Sequence, residues 1–90
     1  MNFHWDTTKA ASNLIKHRVS FEEASTVFLD ILSATGADPE HSQSEERWLT
    51  FGVSSRGNFL VVSHTDEEDN IRIISARQGT KQERKLYEKG

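Results

Sequence analysis

Three apolar runs, WLTFGV (48–53), FLVVSH (59–64) and IRIISAR (71–77), fill most of residues 48–77, with only SSRGN and TDEEDN between them. The runs are rich in β-branched and aromatic residues, and the spacers are short and polar with Gly, Asn or Asp, which suits hairpin turns. This pattern implies an antiparallel meander, with the most apolar run, FLVVSH, as its central strand.

The first half supplies helices to cover such a sheet. FHWD (3–6) suits a short strand, after which Asp6 can cap a helix whose Ala10, Ala11, Leu14 and Ile15 recur at helical spacing and which ends near His17. Ser20 and Glu23 then form an S-x-x-E capping box, and Phe21, Ala24, Val27, Phe28, Ile31 and Leu32 make one wide apolar face. From Ser33 to Glu45 the composition turns to Gly, Asp, Pro, His and Ser, a long connection with at most a short strand near Ala34. Thr80 and Glu83 repeat the capping signature and open a last helix carrying Lys81, Arg84, Lys85, Leu86 and Tyr87. The fold expected is a single α+β domain over residues 1–90. Two N-terminal helices pack on a three- to four-stranded antiparallel sheet, and a C-terminal helix closes the chain.

With 90 residues there is room for one small core. No apolar run approaches the roughly 20 residues that span a bilayer, MNFHWDTTK lacks the features of a secretory signal, and there is no Cys. A cytoplasmic protein without a membrane partner is expected. The formal net charge is −3, but the charge is sorted: seven Asp or Glu and no Lys or Arg lie between Glu22 and Glu46, whereas residues 72–90 carry six Lys or Arg against two Glu. A basic corner on an acidic chain calls for an anionic ligand.

Strict alternation along the third run places Ile71, Ile73, Ser75 and Arg77 on one face and Arg72, Ile74 and Ala76 on the other, so the two arginines face apart unless a bulge intervenes. For each, a bland role as a solvated strand-edge residue or partner of a nearby carboxylate weighs equally with a functional one. Arg77, Lys81 and Arg84 with the N–H groups after Gly79 could instead converge on a phosphate. Lys16 and His17 close the first helix, where cations favour the macrodipole, yet the pair also offers a group that titrates near neutrality beside a point charge. Glu46 and Arg47 precede a strand and alone read as a surface ion pair. The four histidines show no metal-ligand spacing, there is no phosphate loop, and no serine sits in a nucleophile elbow, so no cofactor is expected. TDEEDN reads as a solvated hairpin tip.

Several segments together resemble one family, the BrnT toxins of bacterial type II toxin–antitoxin systems. They are FHWDTTKAASN, with Lys9 and Asn13; KHRVSFEEA; the acidic D-P-E-H-S stretch before E-E-R; GVSSRG; and R-I-I-S-A-R followed by E-R-x-x-Y. They run in order over nearly the whole chain. Where the family commonly shows K-H-G, this chain has Arg18, so a turn often made by Gly must close differently. The resemblance implies a RelE-like fold, ribonuclease activity that inhibits translation, and an RNA substrate. It also implies a BrnA-type antitoxin with a ribbon-helix-helix part, through which alone the system meets DNA.

Carried onto this chain, the resemblance marks Lys16, His17, Glu46, Arg47, Arg56, Arg72, Ser75 and Arg77, to which the basic corner adds Lys81 and Arg84. The implied reaction is metal-independent, with the ribose 2′-hydroxyl attacking the adjacent phosphate. Arg72 and Arg77 would stabilise charge on the phosphorane oxygens, His17 or Glu46 would act as base, and Lys16 as acid or electrostatic helper. Arg47, Arg56, Ser75, Lys81 and Arg84 would bind substrate. Two other classes compete. A non-catalytic module could grip RNA or an acidic protein with the same corner, and an interaction protein could use Trp48 and Tyr87 as its interface.

Overall fold

The computed structural model describes residues 1–41 and 45–90. In chain order the elements are β1 (Asn2–His4), α1 (Thr7–His17), α2 (Phe21–Thr26) running into a 3-10 turn (Val27–Leu29), β2 (Ala34–Ala37), β3 (Trp48–Val53), β4 (Phe59–Glu67), β5 (Asn70–Gln78) and α3 (Lys81–Lys89). The sheet has the strand order β1-β5-β4-β3-β2. The meander and its central strand match the expectation, but the sheet has five strands rather than three or four. It is also mixed, because β1 pairs parallel to β5.

Local chemistry explains the boundaries. Asp6 caps α1, its Oδ1 accepting from the N–H groups of Thr8 at 2.8 Å and Lys9 at 3.0 Å. At the other end Arg18 adopts the left-handed conformation (φ 61°, ψ 28°) and donates its N–H to the carbonyl of Leu14. A non-glycine residue therefore closes the turn, at a cost of roughly 1–2 kcal/mol. Ser20 accepts from the N–H of Glu23, but this capping box is only half made, since the Glu23 carboxylate is buried and turned to Ser54 Oγ (2.6 Å) and Asn58 Nδ2 (2.8 Å). Glu23 thus fastens the β3–β4 turn, which carries Arg56, onto α2.

The expected apolar face runs on to Ile31 and Leu32, yet these are 96% and 69% exposed. Asp30 ends the helix first. Its Oδ1 accepts from the N–H of Leu32, and its Oδ2 accepts from the N–H of Val53 and from the hydroxyl of Tyr87, contacts that compete with helical hydrogen bonding. The Tyr87 hydroxyl and the Val53 N–H hold the Asp30 carboxyl below its usual range, and the carboxylate in turn pushes the Tyr87 phenol up to about 12.

The core lies between α1–α2 and one face of the sheet: Val19, Phe21, Ala24 and Val27 against Leu60, Val62, Ile71, Ile73 and Ala76. On the opposite face α3 lays Tyr87 against Phe59, ring centroids 5.1 Å apart. Gly79 makes the passage from β5 into α3 possible, because a Cβ there would stand 2.1 Å from the Phe59 ring.

His64 sits in the core at 2% exposure, edge-on to Phe28 at 4.9 Å, with Nε2 2.7 Å from Thr50 Oγ1, which is itself 2.8 Å from Thr35 Oγ1. Burial lowers its pKa from 6.5. The unfolded chain then takes up the proton first, so stability is full above about pH 6.5 and is lost as pH falls through the folded pKa, at no more than about 1.4 kcal/mol per pH unit for one proton. Urea midpoints should fall between neutral and mildly acidic pH, and a His64→Gln variant should lose that part of the slope.

Candidate functional site

The register of β4 and β5 shifts between Ser63 and His64: Ser63 pairs with Ser75, but His64 pairs with Ile73, leaving Ile74 as an extra residue in β5. This bulge resets the alternation. Ile71, Ile73 and Ala76 all reach the core, while Arg72, Ser75 and Arg77 stand opposite Thr65, Ser63 and Val61 on the other face. The opposed placement read from strict alternation is therefore corrected. Arg72 and Arg77 share one face, with Leu49 of β3 alongside Ser63.

Arg77 is clamped. Its Nη1 and Nη2 donate to Glu83 Oε1 and Oε2, each at 2.9 Å, and Nη1 also donates to the Gln78 carbonyl at 3.2 Å. The same carboxylate completes the Thr80 capping box of α3. The fork from Arg77 is the main reason that the Glu83 carboxyl falls from 4.5 to about 2, and Glu83 raises Arg77 in return. The imagined phosphate corner is thus occupied by a carboxylate of the chain itself. Lys81 and Arg84 line a separate groove of about 210 Å³ with Gly79 and Asn58, and Arg84 lies 6.0 Å from the Phe59 ring centroid and donates to Glu88 at 3.3 Å. Arg56 is exposed at the adjoining β3–β4 turn.

Arg72 donates through Nη2 to Glu45 Oε1 at 2.6 Å, and Arg47 Nη2 lies 3.9 Å from that same oxygen. Glu45, rather than the exposed Glu46, is the acid that meets the guanidiniums. Arg47 and Arg77 line a groove of about 280 Å³ over Ser63 and Ser75. Asp38 and His41 line it too, with His41 Nδ1 3.0 Å from Asp38 Oδ2, a pair whose signal in the sequence is the D-x-x-H spacing.

Lys16 and His17 line another groove, of about 250 Å³, on the far side of Ile74 and Ser75, which belong to both grooves. The bulged segment is the divide between them. Asn13, also on this side, is buried and spends its amide on backbone: Nδ2 donates to the carbonyls of Val19 and Ala76, both at 2.9 Å, and Oδ1 accepts from the N–H of Ala76 at 3.1 Å. It fixes the end of α1, and with it Lys16 and His17, to β5.

The family model for the ribonuclease toxin BrnT of type II toxin–antitoxin systems matches residues 5–83. The chain belongs to the BrnT family. Its fold is also similar to the crystal structure of the Brucella abortus ribonuclease toxin BrnT, with a TM-score of 0.64 and 18% identity over 90% of this chain and 99% of that one. No curated protein matches. As a BrnT family member the chain is a ribonuclease toxin with an antitoxin partner and an RNA substrate. No helix among the described residues is long and apolar enough to cross a membrane.

Proposed function

We propose that this BrnT chain cuts RNA without a metal ion, by in-line attack of the ribose 2′-hydroxyl on the adjacent phosphate, on the face that carries Arg72, Ser75 and Arg77. The observation that supports this reading most is the bulge at Ile74, which gathers Arg72 and Arg77 on one face with Arg47 beside them. Guanidinium N–H groups left over from the Glu45 and Glu83 contacts suit the non-bridging oxygens of a phosphorane, and their stabilisation needs no proton transfer. Lys16, across Ser75, supplies a further charge, while Arg56, Lys81 and Arg84 extend the basic track for flanking phosphates. His17 and Glu46 are the acid–base groups read from the sequence. Neither lines the groove shared by Arg47 and Arg77.

The partner is a BrnA-type antitoxin with a ribbon-helix-helix part, and its carboxylates cover the same guanidiniums. That Arg72 and Arg77 already take carboxylates of the chain, Glu45 and Glu83, supports this reading. DNA is met only through that antitoxin, and the toxin acts in the cytoplasm.

The test is incubation of the purified chain with total RNA in EDTA, beside Arg72→Ala and Lys16→Ala variants checked for folding by circular dichroism. Degradation by the wild type, reduced on the order of 10²-fold or more in the folded Arg72→Ala variant, is expected. Salt-sensitive RNA binding without new ends would favour the non-catalytic module.

A further inference from the structure

We propose that His41, oriented by Asp38, is the general base that takes the proton of the attacking 2′-hydroxyl. The assignment rests on the ribonuclease reading above and adds a catalytic residue and a positioning residue to it. His41 Nδ1 stands 3.0 Å from Asp38 Oδ2; the Asp38 side chain is 9% exposed and that of His41 60%. The carboxylate is therefore held inside the fold while the ring faces out. Asp38 is fixed in turn: its N–H donates to the Arg47 carbonyl at 2.9 Å, and its own carbonyl accepts from the His41 N–H at 3.4 Å.

A carboxylate that accepts from Nδ1–H selects the tautomer whose Nε2 carries the lone pair. That form of imidazole accepts a proton from a substrate, and the fixed carboxylate then stabilises the imidazolium. An exposed histidine paired with an aspartate adds little to stability, so the consequence of the contact is orientation. The place of the pair matters as much as its geometry. Asp38 and His41 line the groove over Ser63 and Ser75 that Arg47 and Arg77 also line. A phosphate held there by guanidiniums has a proton acceptor at the same groove. The charged groups that line this groove with His41 are Asp38, Glu40, Arg47 and Arg77.

In the step, the 2′-O–H proton passes to His41 Nε2 as the 2′-oxygen bonds to phosphorus. The P–O5′ bond breaks with its electron pair on the 5′-oxygen, which takes a proton from water, and His41 returns its proton to solvent. The products are a 2′,3′-cyclic phosphate and a 5′-hydroxyl, with no change of oxidation state.

The experiment measures kcat and KM on an RNA oligonucleotide in EDTA, from about pH 5 to 9, for wild type, His41→Ala, His41→Gln, Asp38→Asn and the control His4→Ala, each checked for folding. His41→Ala should lose about 10²- to 10⁴-fold in kcat with KM within a few-fold. It should also lose the acidic limb of the pH profile and recover part of the rate with added imidazole, whereas His41→Gln should not substitute. Asp38→Asn should lower kcat less and displace the acidic limb rather than abolish it. A folded His41→Ala variant with wild-type kcat and pH profile would overturn the assignment while leaving the ribonuclease reading standing. A loss that imidazole does not relieve, with the acidic limb intact, would overturn it in favour of a purely structural role. Wild-type protein that leaves RNA uncut in EDTA would overturn both.

Discussion

Replacing Asn13 by Leu, a side chain of similar size, should destabilise the fold by about 3–5 kcal/mol, read from urea denaturation. The reason lies at the edge of the sheet. Among the described residues β1 pairs with β5 over Asn70 to Arg72, and the backbone of β5 beyond has no neighbouring strand on that side. Asn13 takes the strand's place at Ala76, accepting from its N–H and donating to its carbonyl, and reaches the Val19 carbonyl as well. Leucine would bury three backbone groups without partners, each at about 1–3 kcal/mol. A domain of this size has only about 5–15 kcal/mol in total, so the variant should be largely unfolded at mild denaturant concentrations. A midpoint near that of wild type would show that water or a shifted helix satisfies those groups.

A large loss of activity is expected at Arg77 as well. Arg77→Ala should reduce RNA cleavage on the order of 10²- to 10³-fold, the usual cost of removing one donor to a developing anion. The single variant also strips Glu83 of its main partner, so the carboxyl should rise from about 2 toward its ordinary 4.5. The sign follows. A depressed carboxylate contributes stability that is present above about pH 4.5 and is lost as pH falls toward about 2, so Arg77→Ala should be less stable at neutral pH and less sensitive to acid. Because the pair is partly exposed, that stability change should be about 1 kcal/mol or less. The double variant Arg77→Ala with Glu83→Gln separates the two roles: it should regain stability and remain inactive.

Much of the architecture was legible because its causes are local. Asp6, Ser20 and Thr80 announce helix starts through side-chain contacts with the next few residues, and the three β-rich runs with polar spacers define the meander. The departures come from contacts distant in sequence. Glu23 abandons its capping box for Ser54 and Asn58, about thirty residues away, and Asp30 ends α2 through Val53 and Tyr87, which leaves Ile31 and Leu32 exposed. The bulge at Ile74 depends on the pairing partner. Strict alternation cannot contain it, so the shared face of Arg72 and Arg77 was visible only as a conditional. The E-E-R segment shows the same limit, because which of Glu45 and Glu46 meets Arg72 is set by the path of the connection. The Asp38–His41 pair was readable as D-x-x-H, but nothing in that spacing places it beside Arg47 and Arg77.

The most direct test of metal-free cleavage on this face is to map the ends made by the wild-type chain in EDTA on an RNA oligonucleotide, and on the same oligonucleotide with a 2′-deoxy sugar at the cleaved position. Attack by the 2′-hydroxyl should leave 2′,3′-cyclic phosphate and 5′-hydroxyl ends on the first and no cut on the second. Cleavage of the deoxy substrate at an equal rate, or cutting that resumes only when a divalent ion is restored, would contradict it.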